Sequence, residues 1–297
     1  MSAPAKSPSA ATAPAGFDPA RLLAYPIPEV EQSFTQKDTI LYALSIGLGQ
    51  DPLDEQQLRY LDHHRALQAV PSYAVVLGFP GFWIGNPDTG VDPRAALHGE
   101  QEIALHRPLP VSGRIVGRTR ITSLIDKGPG RGALLYSERQ ILDAESGALL
   151  ATTTMSHFLR GYGGFGGADG PVRPVHAVPV TLPDLTIELP TRPEQALLYR
   201  LNGDDNPLHA DPKRAAEAGF ARPILHGLCT FGVICHAILR GLLDYDATRL
   251  KAMKLRFSAP VYPGETIAVD VWRDGSFQAR VPERGVLVAT NGLATTG

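Results

Sequence analysis

Cysteine is nearly absent from this chain: Cys229 and Cys235 are the two among 297 residues, and they lie in an apolar segment. Their spacing fits neither a CxxC redox pair nor half of a zinc site, so no disulfide framework is expected, and both read as small core residues in a reducing cytosol. No run of about 18 apolar residues free of charge occurs, which speaks against a helical membrane span. Charge of one sign is missing as well. A formal net charge of −2 supplies no long-range field for nucleic acid or an anionic membrane surface, so the expected partner is small and local. The opening MSAPAKSPSAATAPAG lacks the apolar centre of a secretory signal and has no arginine. Its Ala, Pro and Ser content predicts a disordered tail over residues 1–19. The closing ATTG is not a peroxisomal SKL-type address, and the cytoplasm is the expected location.

Glycine and proline, by contrast, are abundant at 30 and 26 residues, and they cluster in GYGGFGGADGPVRPVHAVPVTLP at 161–183. That composition predicts a linker dividing the chain near its middle. The two sides resemble each other. Thr35 and Asp38 precede TILYALSIG, and Thr191 and Glu194 precede QALLYRLNG; each is an S/T-x-x-D/E helix start followed by apolar residues at helical spacing. Leu41, Tyr42 and Leu44 align with Leu198, Tyr199 and Leu201. EIALHRPLPVSGRIVGRTRI at 102–121 is echoed by KLRFSAPVYPGETIAVDVW at 254–272, two alternating strands in each case. Each half then closes on a hairpin pattern, ALLYSERQIL to ALLATTTMSHFL and FQARV to VLVATNGL.

GLCTFGVICHAILRGLL at 227–243 is apolar nearly all round and must be enclosed. The matching VPSYAVVLGFPGFWIGNP is interrupted by Pro80, Gly81, Gly85 and Pro87, so any helix there is short. Together the repeats predict an α+β double hot dog, in which each half wraps a curved antiparallel sheet around a helix and only the C-terminal one keeps a long buried helix. The expected divisions are an N-terminal repeat over 20–160, the linker over 161–183 and a C-terminal repeat over 184–297. GYGGFG matches the dinucleotide pattern G-x-G-x-x-G, but GADGPVRPVHAVP cannot begin the helix that pattern requires, and a flexible connection is the better reading.

Chemistry concentrates in YRLNGDDNPLH at 199–209. Turn formation explains much of it: Gly203 ends a helix, and Asp211 with Pro212 starts another. Turn formation does not require His209. Tyr199, Leu201, Gly203, Asp204, Asn206, Pro207, Leu208 and His209, followed by Asp211, Pro212 and then RPILHGL at 222–228, resemble the hydratase 2 motif of the MaoC-like (R)-specific enoyl-CoA hydratases. ILYALSIGLG, PSYAVVLG and LHGEQEIALHRPLP are similar to the non-catalytic half of their two-domain members, which are related to the peroxisomal multifunctional enzyme. The resemblance implies the double hot dog and hydration of trans-2-enoyl-CoA to (3R)-3-hydroxyacyl-CoA. It implies Asp204, Asn206, His209 and Gly227 as the functional residues. Asn202 stands where Ser is more usual in the family.

The reaction needs a group to accept a proton from water, one to deliver a proton to the α-carbon, and a donor for the enolate oxygen. Asp204 and His209 can hold a water from two sides; which is the acid is left open, because interacting groups titrate as a pair. Asn206 can orient the water or His209. Gly227, opening the buried helix, offers an unpaired N–H and room for the thioester. In the first half Gly47 and Pro52 stand where Asp204 and His209 stand, so one active site per chain is expected, and the interrupted helix leaves space for a bulky acyl group. His226 and His236 carry no derivable role. No metal or other cofactor is expected, since Asp204, His209 and His226 lack metal-ligand spacing. Expected partners are an acyl-CoA and a second copy of the chain in a homodimer. The rival readings are a 3-hydroxyacyl-thioester dehydratase on CoA or carrier-protein substrates, a hot-dog thioesterase and a non-catalytic acyl-CoA binder.

Overall fold

A computed structural model describes residues 13–167 and 174–297. The chain begins with α1 (Pro19–Leu23), β1 (Val30–Phe34) and α2 (Gln36–Ser45), then passes through 3-10 turns, including Pro71–Val75 and Trp83–Gly85. Four strands follow, β2 (Ala96–Leu105), β3 (Gly113–Asp126), β4 (Ala133–Asp143) and β5 (Leu149–Leu159). The second half supplies β6 (Leu185–Pro190), α3 (Gln195–Tyr199), α4 (Pro212–Glu217) and α5 (Gly227–Leu242), and ends with β7 (Leu250–Phe257), β8 (Thr266–Val271), β9 (Ser276–Val281) and β10 (Val286–Thr296).

All strands join one antiparallel sheet in the order β1-β3-β4-β5-β2-β7-β10-β9-β8-β6. Read outward from the β2–β7 seam, the two halves have the same order, so the fold is a double hot dog fused edge to edge. The seam pairs Glu100 with Arg256 and Ile103 with Met253. Joining there covers one of the two strand edges of each half and leaves β1 and β6 at the outer edges. α5 lies in the main core with every residue from Leu228 to Leu239 buried. In the first half the prolines and glycines leave only the 3-10 turn Pro71–Val75 in the corresponding place.

Three local expectations differ from the structure. At the first helix start, the Asp38 carboxylate accepts the Thr35 N–H at 2.8 Å and the Thr35 hydroxyl at 2.7 Å. The second start does not form this box: the Thr191 hydroxyl donates to the Glu265 carbonyl at 2.7 Å, and α3 begins later behind Glu194. The expected tail is ordered at its end, where the Phe17 ring meets Tyr162 at 4.9 Å and Asp18 caps α1; residues 1–12 lie outside the described residues. Nor is the expected flexible linker loose where it is described. The Asp126 carboxylate accepts the N–H groups of Gly164 at 2.6 Å and Gly166 at 2.9 Å. A Cβ on Gly163 would stand 2.6 Å from the Gly132 carbonyl oxygen, which is why the GYGGFG stretch is glycine-rich. Beyond residue 173, His176 bonds Ser276 at 2.8 Å and Trp272 donates to the Thr181 carbonyl at 3.2 Å.

Gly232 is where α5 touches α2. A Cβ there would run into Ile46 and stand 3.0 Å from the Tyr42 hydroxyl. Gly232→Ala is therefore expected to overpack the core and destabilise the protein by about 1–3 kcal/mol. A lower urea midpoint at unchanged m-value checks this, and an unchanged midpoint counts against the packing described here.

Candidate functional site

The stretch from Tyr199 to His209 folds as successive tight turns because each polar residue has a local task. Gly203, at φ 103°, ends the 3-10 turn that follows α3. The Asn206 side-chain oxygen accepts the Leu208 N–H at 3.0 Å, and Asp204 accepts the Asn206 N–H at 3.4 Å. One lone pair of the Asn206 oxygen is thus taken by its own turn, while its amide N–H groups remain for a ligand. Pro207 and the turn behind it bring His209 back over Asp204. The Asp211 carboxylate then caps α4 through the Lys213 N–H at 2.8 Å.

Asp204, His209 and His226 converge so that their side-chain donor atoms all lie within 4.8 Å of one another. One water can span that gap with two hydrogen bonds of about 2.8 Å. The His209 Nδ1–H donates to the Ile224 carbonyl at 2.9 Å, which leaves Nε2 as the nitrogen free to accept a proton. The His226 Nε2–H donates to the Asp204 main-chain carbonyl at 3.2 Å. The two imidazoles stack with centroids 3.8 Å apart, and Tyr199 packs on His226 at 5.0 Å. His226 thus holds the His209 ring, a role that spacing alone did not reveal. The same three side chains also meet the distance requirement of a cation site, which a linear pattern could not show.

Burial raises the Asp204 carboxyl above its ordinary value, with the charge of His209 opposing. Burial lowers His209, and the Ile224 carbonyl and Asp204 partly offset it. His226 is pushed down to about 2, by burial first and His209 second, and stays neutral. A carboxyl raised and an imidazole lowered are two groups brought into range for exchanging a proton with each other.

Gly227 follows His226 and opens α5, so its N–H belongs to the first turn and has no helical partner. Its backbone is helical, and a Cβ placed on it would stand 3.5 Å from the Phe257 ring, an ordinary contact. Neither strain nor packing within the chain therefore requires glycine at this position.

Sequence reading passed over Ser45 and Gln195, which fix the site from behind. The Asn202 amide donates to the Ser45 hydroxyl at 2.9 Å, Gln195 donates to the Ser45 carbonyl at 2.5 Å, and the Cys229 thiol reaches the same carbonyl at 3.4 Å. Ser45 and Asn202 each lie three residues after the aligned tyrosines, so equivalent positions of the two repeats meet. The aligned pattern of the halves was the signal that could have found this pair.

Beneath Phe79, Pro80 and Trp83 in the first half lies a void of about 10 Å³, room for about one water. A larger cavity of about 80 Å³ lies at the β2–β7 seam beside Glu100, Tyr136 and Arg256, and none of the four expected site residues lines it. The chemistry is better located by the convergence of titratable groups than by cavity size.

A double hot dog with an acid–base pair at the mouth of its buried helix defines a hydro-lyase class of acyl-thioester enzyme. The chain belongs to the two-domain MaoC-like hydratase 2 family: residues 32–161 match the MFE-2 hydratase 2 N-terminal domain and residues 173–296 the MaoC like domain. An enoyl-CoA hydratase of Mycobacterium tuberculosis is 44% identical over 255 residues, covering 84% of this chain and 87% of its own. The peroxisomal enoyl-CoA hydratase 2 of Arabidopsis thaliana is 37% identical over 296 residues, covering 94% and 95%. A crystal structure of a MaoC-like dehydratase from Phytophthora capsici superposes with a TM-score of 0.82 at 34% identity, covering 94% of this chain and 99% of that one.

Three buried histidines and the half-buried His98 lie well below their ordinary value, chiefly through loss of water around the ring: His98 and His236 at about 4, His157 at about 3 and His226 at about 2. Each takes up a proton in the unfolded chain at a higher pH than in the folded one. Their stabilisation is therefore complete above about pH 6.5 and is lost as the pH falls from there toward 4, at up to about 1.4 kcal/mol per pH unit for each group. His209, also lowered, acts in the same sense as these four, and Asp204, raised, acts in the opposite one. Urea midpoints measured from pH 7.5 to 4.5 are expected to fall steeply below 6.5, and His236→Gln is expected to flatten the curve. A flat profile means that these rings are open to solvent.

Proposed function

We propose that this chain hydrates trans-2-enoyl-CoA to (3R)-3-hydroxyacyl-CoA, reversibly, within acyl-CoA metabolism. The observation that carries this reading is the Asp204–His209 pair, separated by about the span of one water and placed at the opening of α5. Asp204 and His209 hold the reacting water between them. As the water oxygen bonds to C3, its proton passes to the pair, and the pair delivers a proton to C2. The pair ends with the proton count at which it began, so neither group needs resetting by solvent. Both transfers come from one side of the double bond, which gives addition on a single face. The Asn206 amide directs an N–H toward the water, and the Gly227 N–H meets the negative charge that develops on the thioester oxygen. His226 keeps the His209 ring in register.

The C-terminal half over 184–297 is proposed to carry the chemistry, and the half over 20–160 to bound the acyl group. The cytoplasm and a homodimeric state are proposed with it; two buried free thiols suit a reducing compartment. Light scattering on the purified chain tests the dimer, and fractionation of its host cells tests the compartment.

The activity is tested by the loss of enoyl absorbance of crotonyl-CoA, with thiol release and product chirality followed together. Free thiol from a saturated acyl-CoA, or a (3S) product, sinks the proposal. Asp204→Asn and His209→Ala are each expected to lower turnover about 10²- to 10⁴-fold. The double variant is expected to be little worse than either single one, because the two groups act as a unit. Near-normal turnover in folded Asp204→Asn contradicts the mechanism.

Gly227→Ala tests the oxyanion donor separately. The added methyl fits beside Phe257, so melting is expected near the parent temperature, while turnover falls about 10²- to 10³-fold as the thioester oxygen is kept from the N–H. Full activity in that variant removes Gly227 from the mechanism.

A further inference from the structure

The face of the sheet turned toward α5 has different chemistry in the two halves. In the second half, Ile187, Val269, Ala279, Ala289 and Phe257 are direct cross-strand neighbours, and all are apolar. The first half has an apolar row too, Gly117, Ile141, Ala151 and Leu105, but the row two residues along it is Thr119, Arg139 and Thr153, which continues through Ile103 to Met253 across the seam. Ile103 and Met253 belong to the main core, so this row faces inward. Two residues along the same face stand Ser137 and Met155, then Leu135, His157 and His98.

Arg139 is the oddity among them. It is 3% exposed, and its bonded partners are the neutral carbonyls of Val75 at 2.6 Å and Ala74 at 3.3 Å. Its guanidinium lies over the Phe79 ring at 5.3 Å, and its Nε has no partner. The neighbouring Thr119 hydroxyl is also buried without a partner. Burial holds the guanidinium down at about 10, still charged at neutral pH. A buried charge paired only with carbonyls is unfavourable unless it answers to an anion. Both unpaired groups border the void beneath Phe79, Pro80 and Trp83.

Between the void and the catalytic centre lies a line of packed rings, which an acyl chain reaching the void would have to pass along or part. Gly227 adjoins Phe257; Phe257 packs on His98 at 4.9 Å, His98 on His157 at 5.9 Å and His157 on Trp83 at 6.4 Å. Resting on the hydratase reading, we propose that the inward face of the N-terminal half is a subsite for acyl groups whose far end carries a carboxylate, with Arg139 as its counter-ion and Thr119 as a second donor. The group enters by displacing Phe79 to Trp83, a segment bounded by Gly78 at φ 60°, interrupted by Gly81 at φ 73°, and carrying the half-exposed Phe82.

The test uses pairs of trans-2-enoyl-CoA of equal length, from eight to twelve carbons, ending in a methyl or a carboxylate, with crotonyl-CoA alongside. The wild-type enzyme is expected to favour the carboxylate by about 10- to 100-fold in kcat/KM, the range of a hydrogen bond to a charged group. Arg139→Gln is expected to bring that ratio to about one. If the ratio survives while both substrates slow together, Arg139 only braces the Pro71–Val75 turn and the proposal falls. Thr119→Val removes a hydroxyl that has no partner, so folding should be untouched while the ratio drops several-fold; it serves as the test should Arg139→Gln not fold. A wild-type enzyme that takes both ends equally, or prefers the methyl, overturns the subsite. If crotonyl-CoA is hydrated in that experiment, the hydratase reading stands without it; if no enoyl-CoA is hydrated, it is the hydratase reading that has failed.

Discussion

A helix without a polar face can exist only inside something, and α5 sets that requirement for this chain. Every residue from Leu228 to Leu239 is buried, so both halves of the sheet must turn toward it and the seam between β2 and β7 must close. One half cannot supply that enclosure. The inward rows of the second half are apolar, and residues of the first half, Tyr42, Ile46 and Tyr73 among them, complete the main core. The first half keeps a smaller cluster of its own around Leu22, Trp83, Ile84, Leu135 and Leu159, but the main core around α5 draws on both halves.

The same enclosure decides where chemistry can occur. Along its buried length α5 satisfies its own backbone, and the N–H groups left over are those of its first turn. That turn begins at Gly227, directly after the His226 that stacks on His209. Ser45, at the end of α2, grips the approach to this point through Asn202, Gln195 and Cys229. The turns that carry Asp204 and His209 are thereby tied to the other repeat, at a point where the equivalent residues Ser45 and Asn202 meet. Burial at this point raises Asp204 and lowers His209 for the same reason, the loss of water around a charge, and so draws the two proton affinities together.

Much of this was legible before any coordinates, and what was not follows a physical pattern. Repeated strand alternation and the uninterrupted apolar run at 227–243 specified the double hot dog, because periodicity reports which side of an element is buried. The motif from Tyr199 to His209 pointed to Asp204 and His209, whose side chains do converge, since its residues are close in sequence and fold on themselves. Contacts between distant segments were illegible. His226 looked idle because its partner His209 lies in another turn, and Ser45 looked like an ordinary helical serine. Thr191 reads as a cap until Glu265 competes for its hydroxyl. The GYGGFG stretch reads as loose until Asp126, far behind it in the chain, gathers its N–H groups.

The relation between the halves explains why their inward faces differ. Where a continuous helix covers the sheet, any polar side chain pointing inward would lose water and gain nothing, so the rows under α5 stay apolar. In the first half Pro80 and its neighbouring glycines break the helix, and the cover shrinks to the 3-10 turns at Pro71–Val75 and Trp83–Gly85. A 3-10 turn leaves main-chain carbonyls without helical partners, and Arg139 reaches up from β4 to meet those of Ala74 and Val75. Once an arginine stands there, the surface around it is no longer a place for a purely apolar tail. Breaking one helix of a duplicated pair thus does two things at once. It leaves the first half without a long helix whose first turn could offer free N–H groups, and it leaves the inner wall of that half with a buried arginine that the other half lacks.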